Sequence, residues 1–365
     1  MVWATEHLLR KDIDMKISII TSGAHGGMGG IDKYSAYVID VLVKNKLVKS
    51  IDIFSKKIIK FNNKKTNKFW SGNNIGFLLL IFTNIINILK SNVIIISHIN
   101  HVPLLLIPIL LNKKIVLFSY GLEIRFITKN FFYKLLIKRI NFFICMRGHT
   151  LKILKKKYNL KYKNFYLLPN SIKFRKFRKL KTHKHKNIIT IARLWSTEKF
   201  KGVDETLEAL SLLKKINFLY FVVGDGDDKQ RLIKKAKKLN IIKNVKFFGK
   251  VSNNKRDKLL QSSSLISMPG SDKYHDTYPP RFAFLEAAEF GLKILGTNPF
   301  PSEKYFEKKY KSLNFVNPHN KEQILNKILK LQKQTKQYDQ KFLKDFSFDN
   351  FNTKLNNILL KIMEK

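Results

Sequence analysis

Residues 187–226 read NIITIARLWSTEKFKGVDETLEALSLLKKINFLYFVVGDG and contain the pattern that decides the fold. Two short runs rich in β-branched and aromatic residues, at 187–194 and 218–226, flank an amphipathic stretch of helical length at 203–215. A strand, a helix and a second strand in this order are typical of a parallel sheet with crossover helices. The segment therefore predicts one unit of parallel α/β construction.

The same alternation continues along the chain on both sides of this segment. Continuous apolar runs suit strands that helices cover on both faces. The sequence therefore predicts an α/β fold with two Rossmann-like, doubly wound parallel sheets that face each other across a cleft. The other predicted strands are KISIIT (16–21), SIDIFS (50–55), NVIIIS (92–97), KIVLFSY (114–120), NFFICM (141–146), NFYLLPN (164–170), VKFFGKV (245–251), SLISMPG (264–270), KILGTN (293–298) and SLNFVN (312–317). The other predicted helices cover 32–45, 75–90, 131–140, 228–239, 253–262 and 281–291.

A polar and strongly basic segment without apolar periodicity divides the chain and is predicted to be a linker. The last residues are predicted to be helical and to cross back to the first domain, because their apolar stripe needs a surface to cover it. Residues 1–14 lack the features of a secretory signal, and Met15 is an alternative start. The predicted parts are an N-terminal domain at 1–170, the linker at 171–186, a C-terminal domain at 187–340 and the helical segment at 341–365.

The chain has 365 residues and a formal net charge of +44, from 70 Lys and Arg against 26 Asp and Glu. The lysines accompany many Asn and Ile residues along the whole length, which is typical of biased composition. The charge therefore predicts solvated faces and attraction to anionic lipid head groups, and a basic nucleic-acid-binding protein is the less favoured alternative. The single cysteine, Cys145, excludes an intrachain disulfide and favours a cytoplasmic location.

Two stretches without charged residues, 69–89 and 91–112, are long enough to cross a bilayer. Both are interrupted by Asn, His or Pro, so they are predicted to be buried strands and helices and not membrane spans. The apolar segments 75–89 and 102–111 lie next to basic stretches. We therefore expect the N-terminal half to sit against an anionic membrane surface, on the cytoplasmic face of the inner membrane.

Directly after the first predicted strand, residues 22–38 read SGAHGGMGGIDKYSAYV, a loop with five glycines followed by a helix. Glycines let the backbone approach a ligand closely, and a helix N-terminus presents unpaired N–H groups to an anion. The spacing fits neither the Rossmann dinucleotide fingerprint nor a P-loop. The loop is open to two interpretations, an anion site or a tight turn.

In the second half, charged residues and glycines follow successive predicted strands. Arg193 ends one strand, and Lys201 precedes a Gly202 turn that begins a helix. Arg and Lys that converge at one edge can neutralise a diphosphate. The further residues in this pattern are Gly224, Gly226, Gly249 and, on a later helix, Glu286.

These segments together resemble the retaining glycosyltransferases of the GT-B fold, glycosyltransferase family 4, also called glycosyl transferases group 1. The resemblance extends from about residue 15 to about residue 317. The segments that carry it are GGIDKYSAYV, SHIN, SYGLEIR, LPNSI, IARLWSTEKFKGVDETLEAL, VVGDGDD, VKFFGKV and FLEAAEFG.

The resemblance implies a donor site for a nucleotide-diphosphate sugar, a UDP or GDP sugar, without a further cofactor or a metal. Arg193 and Lys201 match the cations that hold the pyrophosphate and stabilise the leaving group, and Glu286 matches the acidic residue that binds the ribose hydroxyls. The other implied donor-binding residues are Gly29, Gly30, Gly224, Gly226 and Val251. The N-terminal domain would take the acceptor.

Two departures from the family pattern affect the catalytic candidates. Tyr278 occupies the position of the family's first glutamate, and Asp276 can substitute for that glutamate if the loop is shifted by two residues. Tyr120 occupies the position of a histidine, while His98 in SHIN is a further candidate at a strand end. Glu123 matches an acidic position on the acceptor side, or else it forms a salt bridge with a neighbouring arginine.

The resemblance implies a hexosyltransferase that retains anomeric configuration and makes a surface polysaccharide or glycolipid, with a glycan or lipid-linked acceptor. Retention by front-face attack depends on leaving-group stabilisation more than on a general base, so the departures do not exclude activity. The alternatives are a nucleotide-sugar epimerase or hydrolase, and a catalytically degenerate protein that only binds nucleotide sugars.

Overall fold

The structure is a computed structural model that describes residues 14–25, 30–121, 130–160, 164–174, 186–270, 280–297, 309–335 and 337–365. The chain divides into two units of similar size. Unit 1 consists of Met1–Pro169 together with Phe351–Lys365, and unit 2 consists of Asn170–Asn350.

Unit 1 contains a seven-stranded sheet in which all neighbouring strands are parallel, in the order β3-β2-β1-β4-β5-β6-β7. The order runs outward in both directions from β1 and β4, as in a doubly wound Rossmann-like sheet. The central strands are buried because helices cover both faces. The strands are β1 Met15–Thr21, β2 Val48–Ser55, β3 Thr66–Trp70, β4 Val93–Ile96, β5 Ile115–Ser119, β6 Phe142–Cys145 and β7 Asn164–Leu167.

Short helices connect the strands of unit 1, and their inner side chains complete the core of the sheet. None of the helices among the described residues combines the length and the apolar character needed to cross a membrane. The helices are α1 Gly30–Lys44, α2 Asn74–Thr83, α3 Ile85–Leu89, a 3₁₀ segment Ile99–Leu105, α4 Leu106–Leu110, α5 Phe131–Arg139 and α6 Gly148–Tyr158.

Unit 2 repeats the plan with a six-stranded parallel sheet in the order β10-β9-β8-β11-β12-β13. Here β8 and β11 are the central pair from which the order runs outward. The strands are β8 Asn187–Ile191, β9 Tyr220–Val223, β10 Val245–Gly249, β11 Ser263–Ser267, β12 Lys293–Thr297 and β13 Leu313–Val316. The helices are a 3₁₀ segment Ser196–Lys201, α7 Val203–Leu210, α8 Lys229–Lys238, a 3₁₀ segment Ile242–Asn244, α9 Asn253–Gln261, α10 Phe282–Glu289, α11 Lys321–Gln332 and α12 Gln340–Asp345.

The last helix, α13 Phe348–Met363, begins in unit 2 and continues in unit 1. Its Phe351 ring meets the buried ring of Tyr34 edge-on, with 5.3 Å between the ring centroids. Farther along the helix, Asn356 accepts a 2.8 Å hydrogen bond from the side chain of Asn45. The apolar stripe of this helix is buried, and Phe351 at its start packs on α1.

The predicted fold class of two doubly wound parallel sheets is confirmed. Each predicted strand overlaps a strand of the structure, while β3 was not predicted. The predicted helix at 75–90 is two helices, because the Asn84 side chain donates to the carbonyl of Leu80 and the backbone turns there. Most of the predicted linker lies outside the described residues.

Candidate functional site

The two central strands of unit 2, β8 and β11, end side by side at the carboxyl edge of the sheet. The chain leaves these strands toward opposite faces of the sheet, and the resulting gap is the usual ligand position in doubly wound folds. Arg193 follows β8, and Pro269 and Gly270 follow β11. The candidate site is built from these two strand ends and the segments that contact them.

The loop that carries Arg193 is fixed by the neighbouring strand end. Ala192 donates a 3.0 Å hydrogen bond to Val223, and Leu194 donates a 3.0 Å bond to Asp225. Gly224 has φ +135, and a Cβ there would lie 1.7 Å from the carbonyl oxygen of Ala192. Gly226 packs in the same way against Leu194. In the structure these two glycines therefore let one backbone segment pack on another beneath Arg193.

Lys201 is fixed by a turn that contacts the end of β11. The turn residue, Gly202, has φ +88, and a Cβ on it would lie 2.4 Å from the backbone nitrogen of Gly270. No side chain fits between these two backbones, so only glycine permits this approach. The turn lies directly before α7 and places Lys201 at the sheet edge where Arg193 also lies.

Glu198 joins the two cations. One carboxylate oxygen accepts a hydrogen bond from Nη2 of Arg193, and the other lies 3.5 Å from Nζ of Lys201. The Glu198 side chain is largely buried, whereas that of Arg193 is 57% exposed. One carboxylate therefore bridges a solvent-facing guanidinium and a sheltered ammonium group, and this brings both predicted cations together.

The ammonium group of Lys201 lies in a positive and desolvated environment. Burial, followed by the charge of Arg281, lowers the pKa of Lys201 to about 8, although Glu198 acts in the opposite direction. The Phe200 ring lies beneath both cations, 4.7 Å from Nζ of Lys201 and 5.9 Å from the Arg281 guanidinium carbon. An anion at this position would meet three positive groups, Arg193, Lys201 and Arg281.

Glu286 lies on the buried side of α10 and is paired with a cation from α9. Nη1 of Arg256 is 3.6 Å from a Glu286 carboxylate oxygen. Val251, which precedes α9, is partly buried and packs against the apolar core of unit 2. The Glu286 carboxylate beside Arg256 can accept hydrogen bonds from hydroxyl groups.

Three residues of the site, Glu198, Arg256 and Arg281, are not among the predicted ones. Glu198 is three residues before Lys201, and Arg281 is five residues before Glu286. Both spacings were visible in the sequence. Arg256 is thirty residues from Glu286, so their pairing depends on the packing of α9 and α10 in the sheet.

In unit 1, the corresponding gap lies between the ends of β1 and β4. Ser22 follows β1, and its Oγ is 2.9 Å from Nε2 of His101. Burial, together with the neighbouring charges of His98 and Lys56, lowers the pKa of His101 to about 4. His101 is therefore neutral at physiological pH.

The candidates His98 and Tyr120 are neighbours at this edge of unit 1, with ring centroids 6.4 Å apart. Nδ1 of His98 accepts a 3.2 Å hydrogen bond from the backbone nitrogen of Asn100, so the neutral ring carries its proton on Nε2. The Tyr120 ring meets Tyr34 edge-on. Gly30 is the first residue of α1.

The remaining predicted residues, Gly29, Glu123, Asp276 and Tyr278, lie outside the residues that the structure describes. Within the described ranges, no group of three or more His, Cys, Asp or Glu side chains is arranged to hold a metal ion.

Comparisons with known proteins agree with this architecture. Residues 171–342 match the family model described as glycosyl transferases group 1. No curated protein sequence matches significantly.

Solved structures of similar fold cover nearly the whole chain. A sucrose-phosphate synthase from Thermosynechococcus elongatus has a TM-score of 0.73 at 12% identity, covering 96% of this chain and 99% of that one. Anabaena Alr3699/HepE in complex with UDP-glucose has a TM-score of 0.69 at 14% identity, covering 95% and 100%. The apo lipopolysaccharide outer core galactosyltransferase WaaB has a TM-score of 0.65 at 13% identity, covering 95% and 99%. The fold is thus the GT-B fold, and residues 171–342 are similar to glycosyl transferases group 1.

Proposed function

We propose that the protein is a retaining hexosyltransferase of glycosyltransferase family 4 that uses a nucleotide-diphosphate sugar. The observation that carries this proposal is the convergence of Arg193 and Lys201 on one carboxylate at the central strand ends of unit 2. A diphosphate offers the same two cations more oxygen ligands and more charge than a single carboxylate does. The match of residues 171–342 to glycosyl transferases group 1 supports the same conclusion.

In the proposed reaction, the bond between the anomeric carbon and the diphosphate oxygen breaks, and a bond forms from that carbon to an acceptor oxygen. Arg193 and Lys201 stabilise the negative charge that develops on the departing diphosphate. The acceptor hydroxyl gives its proton to an oxygen of the leaving diphosphate on the same face of the sugar. These steps require no metal ion and no side chain as a general base.

The nucleoside part of the donor is proposed to bind farther along the strand ends. Glu286, which pairs with Arg256, would accept hydrogen bonds from the ribose hydroxyls. Val251 would lie near the base. Gly224 and Gly226 would act indirectly by supporting the loop of Arg193, whereas Gly29 and Gly30 are proposed to approach the pyrophosphate from the first glycine-rich loop.

A UDP sugar is the favoured donor, with a GDP sugar as the alternative. The similar structures include Alr3699/HepE in complex with UDP and glucose and a pneumococcal O-GlcNAc transferase, GtfA, in complex with UDP and GlcNAc. The acceptor is proposed to be a glycan or a lipid-linked saccharide in surface polysaccharide or glycolipid synthesis, bound by unit 1. WaaB and WaaG, which are named for lipopolysaccharide synthesis, support this choice. A cytoplasmic location at the inner membrane remains a prediction.

A catalytically degenerate protein that only binds nucleotide sugars is the second candidate. The observation in its favour is Tyr120, which lies beside His98 where family members have a histidine. Whether the protein is active or degenerate also depends on the roles of Tyr278, Asp276 and, on the acceptor side, Glu123. The nucleotide-sugar epimerase or hydrolase has no further support.

The proposal can be tested by calorimetry with UDP and GDP, followed by incubation with labelled UDP and GDP sugars. We expect binding of one diphosphate and slow release of free nucleotide without an acceptor. The variant Arg193→Ala/Lys201→Ala should lose at least about a hundredfold in affinity, because two charge-assisted contacts are removed. Lys243→Ala/Lys330→Ala, which removes two exposed cations from the same unit, is the charge-matched control.

Unchanged diphosphate affinity in the Arg193→Ala/Lys201→Ala variant would contradict the proposed donor site. Tight binding without any sugar release or transfer would favour the degenerate protein. Tight binding of duplex nucleic acid without affinity for UDP or GDP would favour the nucleic-acid-binding alternative.

A further inference from the structure

Four neighbouring helices of unit 1 expose large apolar side chains on their outer sides. The exposed fractions reach 75% for Ile75, 66% for Phe82, 55% for Leu110 and 80% for Phe131. We call the exposed Ile, Leu and Phe side chains of α2, α3, α4 and α5 the apolar face. Of eighteen large apolar side chains exposed among the described residues, eleven belong to this face. Such clustering is characteristic of an interaction surface.

The fold itself does not need the apolar face. The same helices bury a second set of apolar side chains against the sheet, including Phe77, Ile81, Ile109 and Leu136. A helix at the surface of a water-soluble unit normally carries polar residues on its outer side. Here the helices are apolar on both sides, so their outer sides are suited to a second apolar medium.

The helices of the apolar face lie in one layer. The 3₁₀ segment Ile99–Leu105 contacts both α2 and α5, and α4 continues directly from that segment and also contacts α5. The helix α3 follows α2 after Asn84. The exposed apolar side chains therefore belong to one surface that these helices share and are not isolated from one another.

The charge around the apolar face is almost entirely positive. Glu123 is the single acidic residue in the sequence between Asp52 and Glu198. Exposed cations lie on or beside the helices of the face, namely Lys90, Lys134, Lys138 and Arg139. The cations near the apolar face therefore have almost no acidic residues in the surrounding sequence to balance them.

We propose that the apolar face inserts into the interfacial region of a bilayer that contains anionic lipids. Its apolar side chains would enter the boundary between head groups and acyl chains. The exposed lysines and the arginine on or beside the same helices would contact the lipid phosphates. The ten residues of α2 span only about 15 Å, half of a hydrocarbon core, so this helix is too short to cross a bilayer and would lie along its surface. This inference does not depend on the proposed donor chemistry.

A second copy of the chain is the rival occupant of the apolar face. A symmetric dimer through this face would bring its cations against the identical cations of the other copy. With one acidic residue in the whole surrounding sequence, those cations would have no partners across the contact. An anionic lipid surface is complementary to both the charge and the apolar character of the face.

The test is flotation of the full chain with vesicles of phosphatidylcholine alone and of phosphatidylcholine with phosphatidylglycerol at one in three lipids. We expect flotation with the anionic vesicles, reduced by added salt. The variant Leu79→Ser/Phe82→Ser should lower the bound fraction constant at least about tenfold. Leu212→Ser/Leu360→Ser removes two exposed leucines elsewhere and should bind as the parent does.

The charge contribution is tested with Lys134→Gln/Lys138→Gln. This variant should bind anionic vesicles several-fold more weakly and neutral vesicles unchanged. UDP affinity measured on all three variants should equal that of the parent, which separates membrane docking from the donor site. Parent-like flotation of Leu79→Ser/Phe82→Ser would overturn the inference, and so would a dimer of the parent that this variant converts to a monomer. Equal binding to neutral and anionic vesicles would overturn the role of anionic lipid.

Discussion

Oε2 of Glu198 lies 3.5 Å from Nζ of Lys201, while the other oxygen of the same carboxylate binds Arg193. Glu198 therefore occupies both groups that the proposed mechanism assigns to the donor's diphosphate. Without it, Arg193 and Lys201 would repel each other at the sheet edge. Glu198 acts as an internal counter-ion in the unliganded protein, and a donor must displace it or share its cations.

Replacing Glu198 with Gln should tighten the binding of the preferred nucleoside diphosphate, UDP or GDP, by about threefold to tenfold. The neutral amide keeps the size of the side chain but no longer competes with the phosphates for the two cations. Calorimetry measures the change, with Glu322→Gln, an exposed carboxylate of the same unit, as the control. Weaker binding would show that Glu198 orients the cations more than it competes for them.

Binding of a nucleoside diphosphate should be coupled to proton uptake by Lys201. Its pKa of about 8 in the free protein should rise when a diphosphate arrives, because the anion favours the charged ammonium group. Below pH 7 the group is already protonated, so affinity should fall mainly as pH rises through 8, by at most about tenfold per pH unit for one proton.

Calorimetry at pH 8.5 in two buffers of different ionisation enthalpy measures the number of protons taken up. Lys201→Arg keeps its charge throughout this range and should show no uptake. Uptake that is equal in the parent and in Lys201→Arg would assign the proton to another group.

Replacing Gly224 with Ala should destabilise unit 2 by about 2–4 kcal/mol, because the new methyl group collides with the Ala192 carbonyl and the backbone has positive φ. The Arg193 loop should shift, so diphosphate affinity should also fall. Urea unfolding and calorimetry measure the two effects. Gly148→Ala is the matched control, since a Cβ there meets no atom within 4 Å. Equal stability of the two variants would contradict this account of the loop.

Arg256 and Glu286 should contribute to nucleotide binding as a coupled pair. Arg256→Met removes the cation beside the buried carboxylate and should weaken UDP binding several-fold, as Glu286→Gln should. The double variant should lose less than the sum of the two single losses, by about 0.5–2 kcal/mol. A calorimetric double-mutant cycle measures this difference, and strictly additive losses would show that the two side chains act independently.

The sheets could be predicted from the sequence because their strands are continuous apolar runs, such as NIITI at 187–191. The strand β3 was missed because it lies at the edge of its sheet, where residues such as Asn67 and Lys68 face solvent or polar partners. In the sequence it resembles the lysine- and asparagine-rich segments around it. Apolar periodicity therefore identifies central strands better than edge strands.

The proximity of Arg193 and Lys201 at one edge of the sheet could also be predicted, since Arg193 follows a central strand and Lys201 precedes a glycine turn. The charge balance of the candidate site could not be predicted from the sequence. The pairing of Arg256 with Glu286 depends on the packing of two helices, and the lowered pKa of Lys201 depends on burial and on Arg281. A sequence shows which charged residues are present but not which of them are desolvated together.

The contact of Phe351 with Tyr34 has a consequence for biosynthesis. All residues of unit 2 are synthesised before Phe351, which covers Tyr34. Domains generally fold as units during translation. Unit 2 can therefore begin to fold while unit 1 still lacks its C-terminal helix. The nascent unit 1 would thus expose the part of its core around Tyr34 while unit 2 is being synthesised.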